Sequence, residues 1–340
     1  MIEPGTVQYP FSTSDFNDMP YRRMGRSGLQ TSAIGLGTWK FGDPDSGDGS
    51  RTGEQDALAI LDRAHALGVT FIDTANRYNA GTGNSERIIG SWLAVNPDKR
   101  RDIVLATKLF GGMDGFTPNH SGLGRLTIVE SLAASLTRLQ ADWVDLLWFH
   151  GFDAHTPVQE SMETVEDLVS RGAVHHLGVS NVTVEQLETY LSVADGLSRR
   201  ARPVAVQNRF DPIRGELNPG VLDLCVAEGI AFVPYSPLAG GLLTDRYLDP
   251  ARVGRGDRLY DEGTDIDQDQ LAKVAEVGAL AEQWGHTISQ VSLAWLLTLD
   301  GMGSQIPTSS TLEQLEGNAA AGRIELTEEQ NAALAALFGR

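Results

Sequence analysis

Positive charge, cysteine and long apolar runs are all scarce in this chain. Its 340 residues carry 27 Lys+Arg against 45 Asp+Glu, a formal charge of −18. Phosphate-binding faces need an excess of basic residues, so this balance argues against a nucleic-acid partner and an anionic membrane surface. Lys40, Lys99, Lys108 and Lys273 are the only lysines; every other basic residue is arginine. That skew fits a high-salt cytoplasm or a GC-rich genome, and composition does not separate the two. The single cysteine, Cys225, excludes an intramolecular disulfide and a multi-cysteine zinc site. It falls in the apolar helical pattern VLDLCVAEG, the setting of a buried packing thiol. No apolar run approaches the roughly 20 residues that a membrane span requires. The first 20 residues hold no Lys or Arg of the kind that opens a secretory signal. A soluble cytoplasmic protein with no nucleic-acid or membrane partner is expected.

What the chain has is alternation. Hydrophobic residues are 41% and charged residues 21%, enough for a large core. Length alone allows two domains, but an α/β barrel of this size is often one. Residues 1–20 read as an N-terminal extension and residues 21–340 as a single domain. YRRMGRSGLQTSAIGLG reads as a hairpin about a Gly turn. Eight β-like runs follow: IGLGTW, VTFIDTA, IVLATKL, WVDLLWFH, HHLGVSN, PVAVQNRF, IAFVPYS and SQIPTS. Helical patterns lie between them. In VQESMETVEDLV, Val158, Met162, Val165, Leu168 and Val169 share one helical face. Gly68, Gly172 and Gly229 stand where left-handed caps end helices. The pattern predicts an (α/β)8 TIM barrel with an N-terminal β-hairpin and extra helices after strand seven. The alternative is an open doubly wound sheet, but neither G-x-G-x-x-G after a strand nor a Gly-Lys dipeptide is present.

A barrel carries its working residues at the C-terminal ends of its strands. Polar residues cluster there: Asp73, Lys108, His150, Ser180–Asn181, Gln207–Asn208 and Tyr235–Ser236. Asp73, Tyr78, Lys108 and His150 come from successive strands and make a working acid. A phenol is a poor proton donor at neutral pH. A nearby ammonium lowers its pKa, and a carboxylate keeps that ammonium charged and oriented. An imidazole orients a carbonyl oxygen or relays a proton. Such a site delivers a proton as negative charge develops on oxygen, which suits carbonyl reduction by hydride. Bland readings exist for each residue alone: a buried ion pair, a loop tyrosine, a core histidine. Together, at successive strand ends, they are poorly explained as packing.

FIDTANRYNAGTGNSERIIG, LATKL, DLLWFHGFD, GAVHHLGVSN, VQNRFDPI and VPYSPLAGGLLTDRY closely resemble the aldo-keto reductase family in its longer-chain bacterial and archaeal branch. The likeness runs in order from about Tyr21 to Leu337. It implies an (α/β)8 barrel and NADPH-linked reduction of aldehydes and ketones, or the reverse oxidation. Asp73, Tyr78, Lys108 and His150 match the family's catalytic tetrad, with Tyr78 as acid–base residue. Asp73 and Lys108 would tune it, and His150 would orient the substrate carbonyl.

The resemblance also implies a cofactor site. Tyr235 matches the ring-stacking position, and Ser180, Asn181 and Gln207 match the carboxamide-binding positions. Thr38, Trp39, Ser236, Leu238, Gly240, Leu242 and Arg246 fall along the same site, with Ser310, Gln314 and Asn318 at the adenosine end. The Gly-rich SPLAGGLL can bring backbone N–H groups to a pyrophosphate. Ser180–Asn181 could instead cap the next helix, a role that Thr183 could also take. Strongly NADP-selective members place Lys or Arg where Thr308, Thr311 and Gln314 stand. Arg246, Arg252, Arg255 and Arg258 could supply that charge, or could be solvated loop residues. NADP(H) is the expected cofactor and NAD(H) the alternative. Trp39, Phe110 and Trp148 or Phe152 are candidate pocket walls. His175–His176 could suggest a metal; variable strand residues are the preferred reading, and the His-x-His of metal-dependent barrel hydrolases is absent. Two further function readings stay open: an NAD-dependent sugar or alcohol dehydrogenase, and a cofactor-binding redox-sensing regulatory subunit.

Overall fold

The computed structural model describes residues 12–113, 115–198 and 200–340. Three short antiparallel strands open it: β1 (Asp15–Phe16), β2 (Met19–Arg23) and β3 (Gln30–Ser32). β2 and β3 form the expected hairpin, with Tyr21 opposite Ser32 and Arg23 opposite Gln30. Its turn is pressed into the floor of the barrel. Gly25 sits at φ +59°, and a Cβ there would lie 2.3 Å from the Gly229 carbonyl oxygen, so glycine alone permits this approach. The Arg26 N–H donates to that same oxygen at 2.8 Å. Met24 is fully buried against Phe71, Leu146, Ala205 and Ala231 from the strands above.

The barrel strands are β4 (Leu36–Gly37), β5 (Phe71–Asp73), β6 (Val104–Leu109), β7 (Val144–Phe149), β8 (Val174–Ser180) and β9 (Ala205–Gln207). After a small ribbon, β10 (Phe210–Asp211) paired with β11 (Gly215–Glu216), comes β12 (Ala231–Phe232). The large sheet is parallel in the order β4-β5-β6-β7-β8-β9-β12. Residues 302–308 close it. Met302 bridges Phe232 and Ile306 bridges Tyr235 on one side; Gln305 bridges Ile34 and Thr308 bridges Gly37 on the other. Closure removes both sheet edges. These eight staves coincide with the eight β-like runs of the sequence, except that PVAVQNRF is divided: Ala205–Gln207 stays in the barrel and Phe210 leaves it for the ribbon. The parallel direction puts all strand C-termini on one face.

The helices are α1 (Glu54–Ala66), α2 (Asn84–Val95), α3 (Arg125–Leu139), α4 (Val158–Ser170), α5 (Val184–Gly196) and α6 (Val221–Glu228). They are followed by α7 (Arg258–Asp261), α8 (Gln268–Trp284), α9 (Ile288–Leu296), α10 (Leu312–Ala321) and α11 (Glu328–Phe338). Consecutive helices from α1 to α6 pack side by side, and α9, α10 and α1 continue the ring. α7 and α8 are the additions expected after the seventh strand, and α8 lies on α9 and α11. Periodicity is obeyed where it was strongest: Met162, Val165 and Leu168 of α4 are buried in the core. α5, α9 and α11 each begin with a capping box, Thr183/Gln186, Thr287/Gln290 and Thr327/Gln330. Gly68, Gly172 and Gly229 adopt the left-handed conformation expected at helix ends. Among the described residues no helix is long and apolar enough to cross a membrane.

Candidate active site

Four groups meet at the strand ends. β5 delivers Asp73, β6 delivers Lys108, the turn after β5 delivers Tyr78, and His150 follows β7. Asp73 pairs with Ala106 in register and Lys108 with Trp148, which sets the first two side by side at the mouth. The Lys108 ammonium donates to the Asp73 carboxylate, to the Tyr78 hydroxyl at 2.7 Å and to the Thr74 carbonyl at 3.0 Å. Its three protons therefore have three acceptors. The Tyr78 hydroxyl in turn donates to Asp73 Oδ2 at 3.3 Å. Asp73 and Lys108 are buried, whereas Tyr78 and His150 keep one side open to the mouth. The Tyr78 and His150 rings meet edge-on, 6.1 Å between centroids.

The electrostatics correct one sequence expectation. Lys108 was expected to lower the Tyr78 pKa. Burial, and then the Asp73 charge and hydrogen bond, instead hold that pKa well above its ordinary value. The phenol therefore rests protonated. Burial also pulls the Lys108 amine down, against the upward pull of Asp73. Burial and the Lys108 charge carry His150 down to about 3, so its imidazole is neutral at neutral pH. The arrangement is a loaded proton donor beside a cation.

A second set of polar groups extends from this centre. The Gln207 amide donates to Asp73 Oδ1 at 3.0 Å, joining β9 to β5 across the barrel. The Ser180 hydroxyl donates to the Gln207 carbonyl at 2.7 Å. Asn181, at φ +56°, donates to the His150 carbonyl at 2.8 Å and accepts from the Tyr235 hydroxyl at 2.9 Å. Ser180 and Asn181 do not cap α5, because Thr183 does. Thr38 is buried and donates to the Asp73 carbonyl at 2.9 Å. Trp39 lies at the rim between two cations, 3.7 Å from Lys40 Nζ and 4.6 Å from the Arg258 guanidinium.

The loop after β12 carries Ser236 and Ala239 at φ +54° and +53°, then Gly240 and Gly241 at +73° and +103°. Leu238 is half-buried in it and Leu242 buried. Arg246 is exposed and paired with Asp257. Arg258 reaches Ser236 Oγ at 3.3 Å and Glu262 at 2.9 Å. At the other end, Gln314 Oε1 accepts from the Ser310 N–H at 2.8 Å, and Asn318 is buried and donates to Ser309 Oγ at 3.1 Å. Thr311 caps α10.

Trp148 is not a pocket wall. It is fully buried within the barrel, where a Cβ on Gly178 would lie 2.2 Å from its ring. Phe110, Phe152 and Trp39 remain partly exposed at the mouth. His175 stacks on Trp143 and bonds to Asp145 at 3.2 Å. Sequence reasoning passed over Lys40, Arg51, Arg77 and Asp153. The signal for Asp153 was its place three residues after His150; nothing in the sequence tied Arg51 to this face.

These observations agree with what the chain resembles. The aldo/keto reductase family model matches residues 33–338. A probable voltage-gated potassium channel subunit beta of Arabidopsis thaliana is 31% identical over 88% of this chain and 90% of its own. An aldo-keto reductase of Strobilurus tenacellus is 32% identical over 93% and 91%. An uncharacterised oxidoreductase of Bacillus subtilis is 33% identical over 92% and 93%. The chain belongs to the aldo/keto reductase family. It is an NAD(P)-dependent oxidoreductase on the TIM-barrel fold, of a family that acts on small carbonyl compounds.

Proposed function

We propose that the protein reduces aldehydes and ketones to alcohols with NADPH, with Tyr78 as the general acid. The observation that carries this reading is the Tyr78 hydroxyl, 2.7 Å from the Lys108 ammonium and hydrogen-bonded to Asp73. A bound nicotinamide dinucleotide supplies the hydride. Hydride delivered to a carbonyl carbon would leave negative charge on its oxygen. Tyr78 passes its proton to that oxygen, and the resulting phenolate is stabilised by the adjacent Lys108. Asp73 keeps Lys108 charged and in place. The neutral His150 orients the carbonyl through a hydrogen bond.

The groups present suit the dinucleotide. Tyr235 offers a ring face, half-buried and held by Asn181. Ser180, Asn181 and Gln207 provide amide and hydroxyl groups for a carboxamide. The left-handed turns of the loop 236–241, with glycine at 240 and 241, would offer backbone N–H groups to a pyrophosphate. Ser310, Gln314 and Asn318, beside the start of α10, would take the adenosine end. NADP(H) is favoured by the family and by the arginines after β12. Gln314 in place of a base, and Arg246 bound to Asp257, support NAD(H) as the alternative. A preference for NAD of 100-fold, about 2.7 kcal/mol, would reverse the assignment.

The test is Tyr78→Phe. It abolishes turnover across an aldehyde and ketone panel while NADPH, followed by quenching of its fluorescence, still binds. Retained turnover would sink the role of Tyr78. A second reading has one observation behind it, the similarity to a protein described as a channel subunit: a cofactor-binding regulatory subunit. Tight cofactor binding, slow turnover of every carbonyl and a co-purifying partner would favour it.

A further inference from the structure

Side chains alternate along a strand, so the two charged residues of the site have neighbours that face the other way. Phe71 and Ala106 lie in the inner core of the barrel, whereas Ile72, Leu105 and Leu109 lie in the layer beneath the helices. Asp73 and Lys108 continue the inward series; Thr74 and Thr107 continue the outward one. Both threonines are buried, and both meet the first turn of α2. Ser85 Oγ lies 2.8 Å from Thr74 Oγ1 and 2.7 Å from Thr38 Oγ1, which donates to the Asp73 carbonyl. The Thr74 carbonyl is itself an acceptor of the Lys108 ammonium. One residue on, Glu86 Oε1 accepts from the Thr107 hydroxyl at 2.6 Å, and Glu86 Oε2 pairs with Arg138 Nε of α3 at 2.6 Å. Ser85 and Glu86 are 1% and 0% exposed. A buried carboxylate and its hydroxyl partners stabilise a fold less than apolar side chains of the same volume, so packing alone does not account for them. Two adjacent residues of one helix thus grip the chain neighbours of both charged groups.

We propose that Ser85 and Glu86 are positioning residues: α2 uses them to hold Thr74 and Thr107, and through these fixes the separation of Asp73 from Lys108. This deepens the reductase reading of the same site and rests on it. Asp73 and Lys108 come from different strands, β5 and β6, and a common anchor outside the barrel sets both at once. The reaction depends on that setting, because Lys108 stabilises a Tyr78 phenolate only at close range. The bland alternative is a polar patch that holds α2 on the sheet. It would serve folding and leave Lys108 where it is.

Two paired exchanges separate these. Thr74→Val with Thr107→Val removes both grips and keeps the volume; Thr74→Ser with Thr107→Ser keeps the hydroxyls and loses the methyl groups. Lys108 can be read directly, because the chain has four lysines. Lysine labelled with carbon-13 at Cε gives one NMR signal for each, and the signal missing from Lys108→Met is that of Lys108. Asp73 pulls the Lys108 amine up against burial, so a looser Asp73 lets its titration midpoint fall. The expected fall is about one pH unit in the valine protein, with the serine protein close to native. With para-nitrobenzaldehyde, kcat falls roughly tenfold in the valine protein while KM for NADPH holds, and the serine protein keeps its kcat. A midpoint or a kcat that stays native in the valine protein would overturn the proposal, and so would an equal loss in the serine protein. If the unaltered protein turns over no carbonyl, the reductase reading falls and the Lys108 signal alone decides the positioning role. If the paired valine protein does not fold, Thr74→Val and Thr107→Val are read singly in the same way. Failure of both to fold would make the grip a folding contact and overturn the proposal.

Discussion

At the scale of single residues, the site works by keeping charge in one place. Lys108 is surrounded by acceptors, and its two neighbours respond oppositely to burial: the Tyr78 phenol becomes harder to ionise and the His150 imidazole harder to protonate. The consequence for His150 can be measured. Its ordinary pKa near 6.5 falls to about 3 in the fold, from burial and the Lys108 charge. Between these values the unfolded chain takes up a proton that the folded chain refuses, so stability falls as the pH drops from about 6.5 toward 3. His150→Asn removes that contribution. Chemical denaturation across this window should show a shallower acid loss in the variant, and an identical slope would contradict the assignment. By the same argument, His150 contributes no ionisation to the rate profile between pH 5 and 8.

At the scale of elements, a buried carboxylate joins two of the rim loops alongside their apolar packing. Asp153 ties the loop after β7 to the loop after β6. It accepts from the Leu123 N–H at 2.8 Å, the His155 N–H at 2.9 Å and the Thr156 hydroxyl at 2.7 Å. Burial pushes this carboxyl up, but the hydrogen bonds from Thr156, Leu123 and His155 outweigh it and hold it below the ordinary range. Its contribution is thus present at neutral pH and lost as the pH falls through the carboxylate range. Asp153→Ala should cost about 2 kcal/mol of stability, from the donors left unpaired. It should also raise KM more than it lowers kcat, because the rim loosens while the Tyr78–Lys108 contact stands. Thermal unfolding and steady-state kinetics check both parts. Little of this was legible beforehand. Strands and amphipathic helices write themselves as period-two and period-3.6 patterns, so the eight staves and the face of α4 could be read directly. A hydrogen bond such as Gln207 to Asp73 spans 134 residues and leaves no local pattern. Gln207 stood out as a polar residue at a strand end and, through the resemblance, as a cofactor ligand, but not as a partner of Asp73. The division of PVAVQNRF escaped because a ribbon two residues long has too little periodicity to show.

At the scale of the whole molecule, a charge of −18 must coexist with binding an anionic dinucleotide. The barrel resolves this by placement: its closed parallel sheet brings the ends of distant loops together on one face. Lys40 reports the outcome. Its amine is drawn down to about 8, first by burial and then by the charges of Arg51 and Arg258, against the upward pull of Glu262 and Asp48, so two cations act on it at close range. Arg51 is held there by Asp261 at 2.8 Å, so the cluster spans the loops after β4 and β12. Two fields of opposite sign with different ranges predict a two-phase response to salt. At ~0.01 M the screening length is ~30 Å and the acidic shell is felt; at ~0.15 M it is ~8 Å and the cluster dominates. The association rate of NADPH, followed by stopped-flow fluorescence, should therefore rise between those two concentrations. Affinity should then weaken toward ~0.5 M, where the screening length is shorter still and the cluster itself is screened. Lys40→Met should keep the first phase, which belongs to the shell, and flatten the second, which belongs to the cluster. Affinity that tightens steadily with salt over the whole range would show that the shell controls binding and that the cluster does not reach the cofactor.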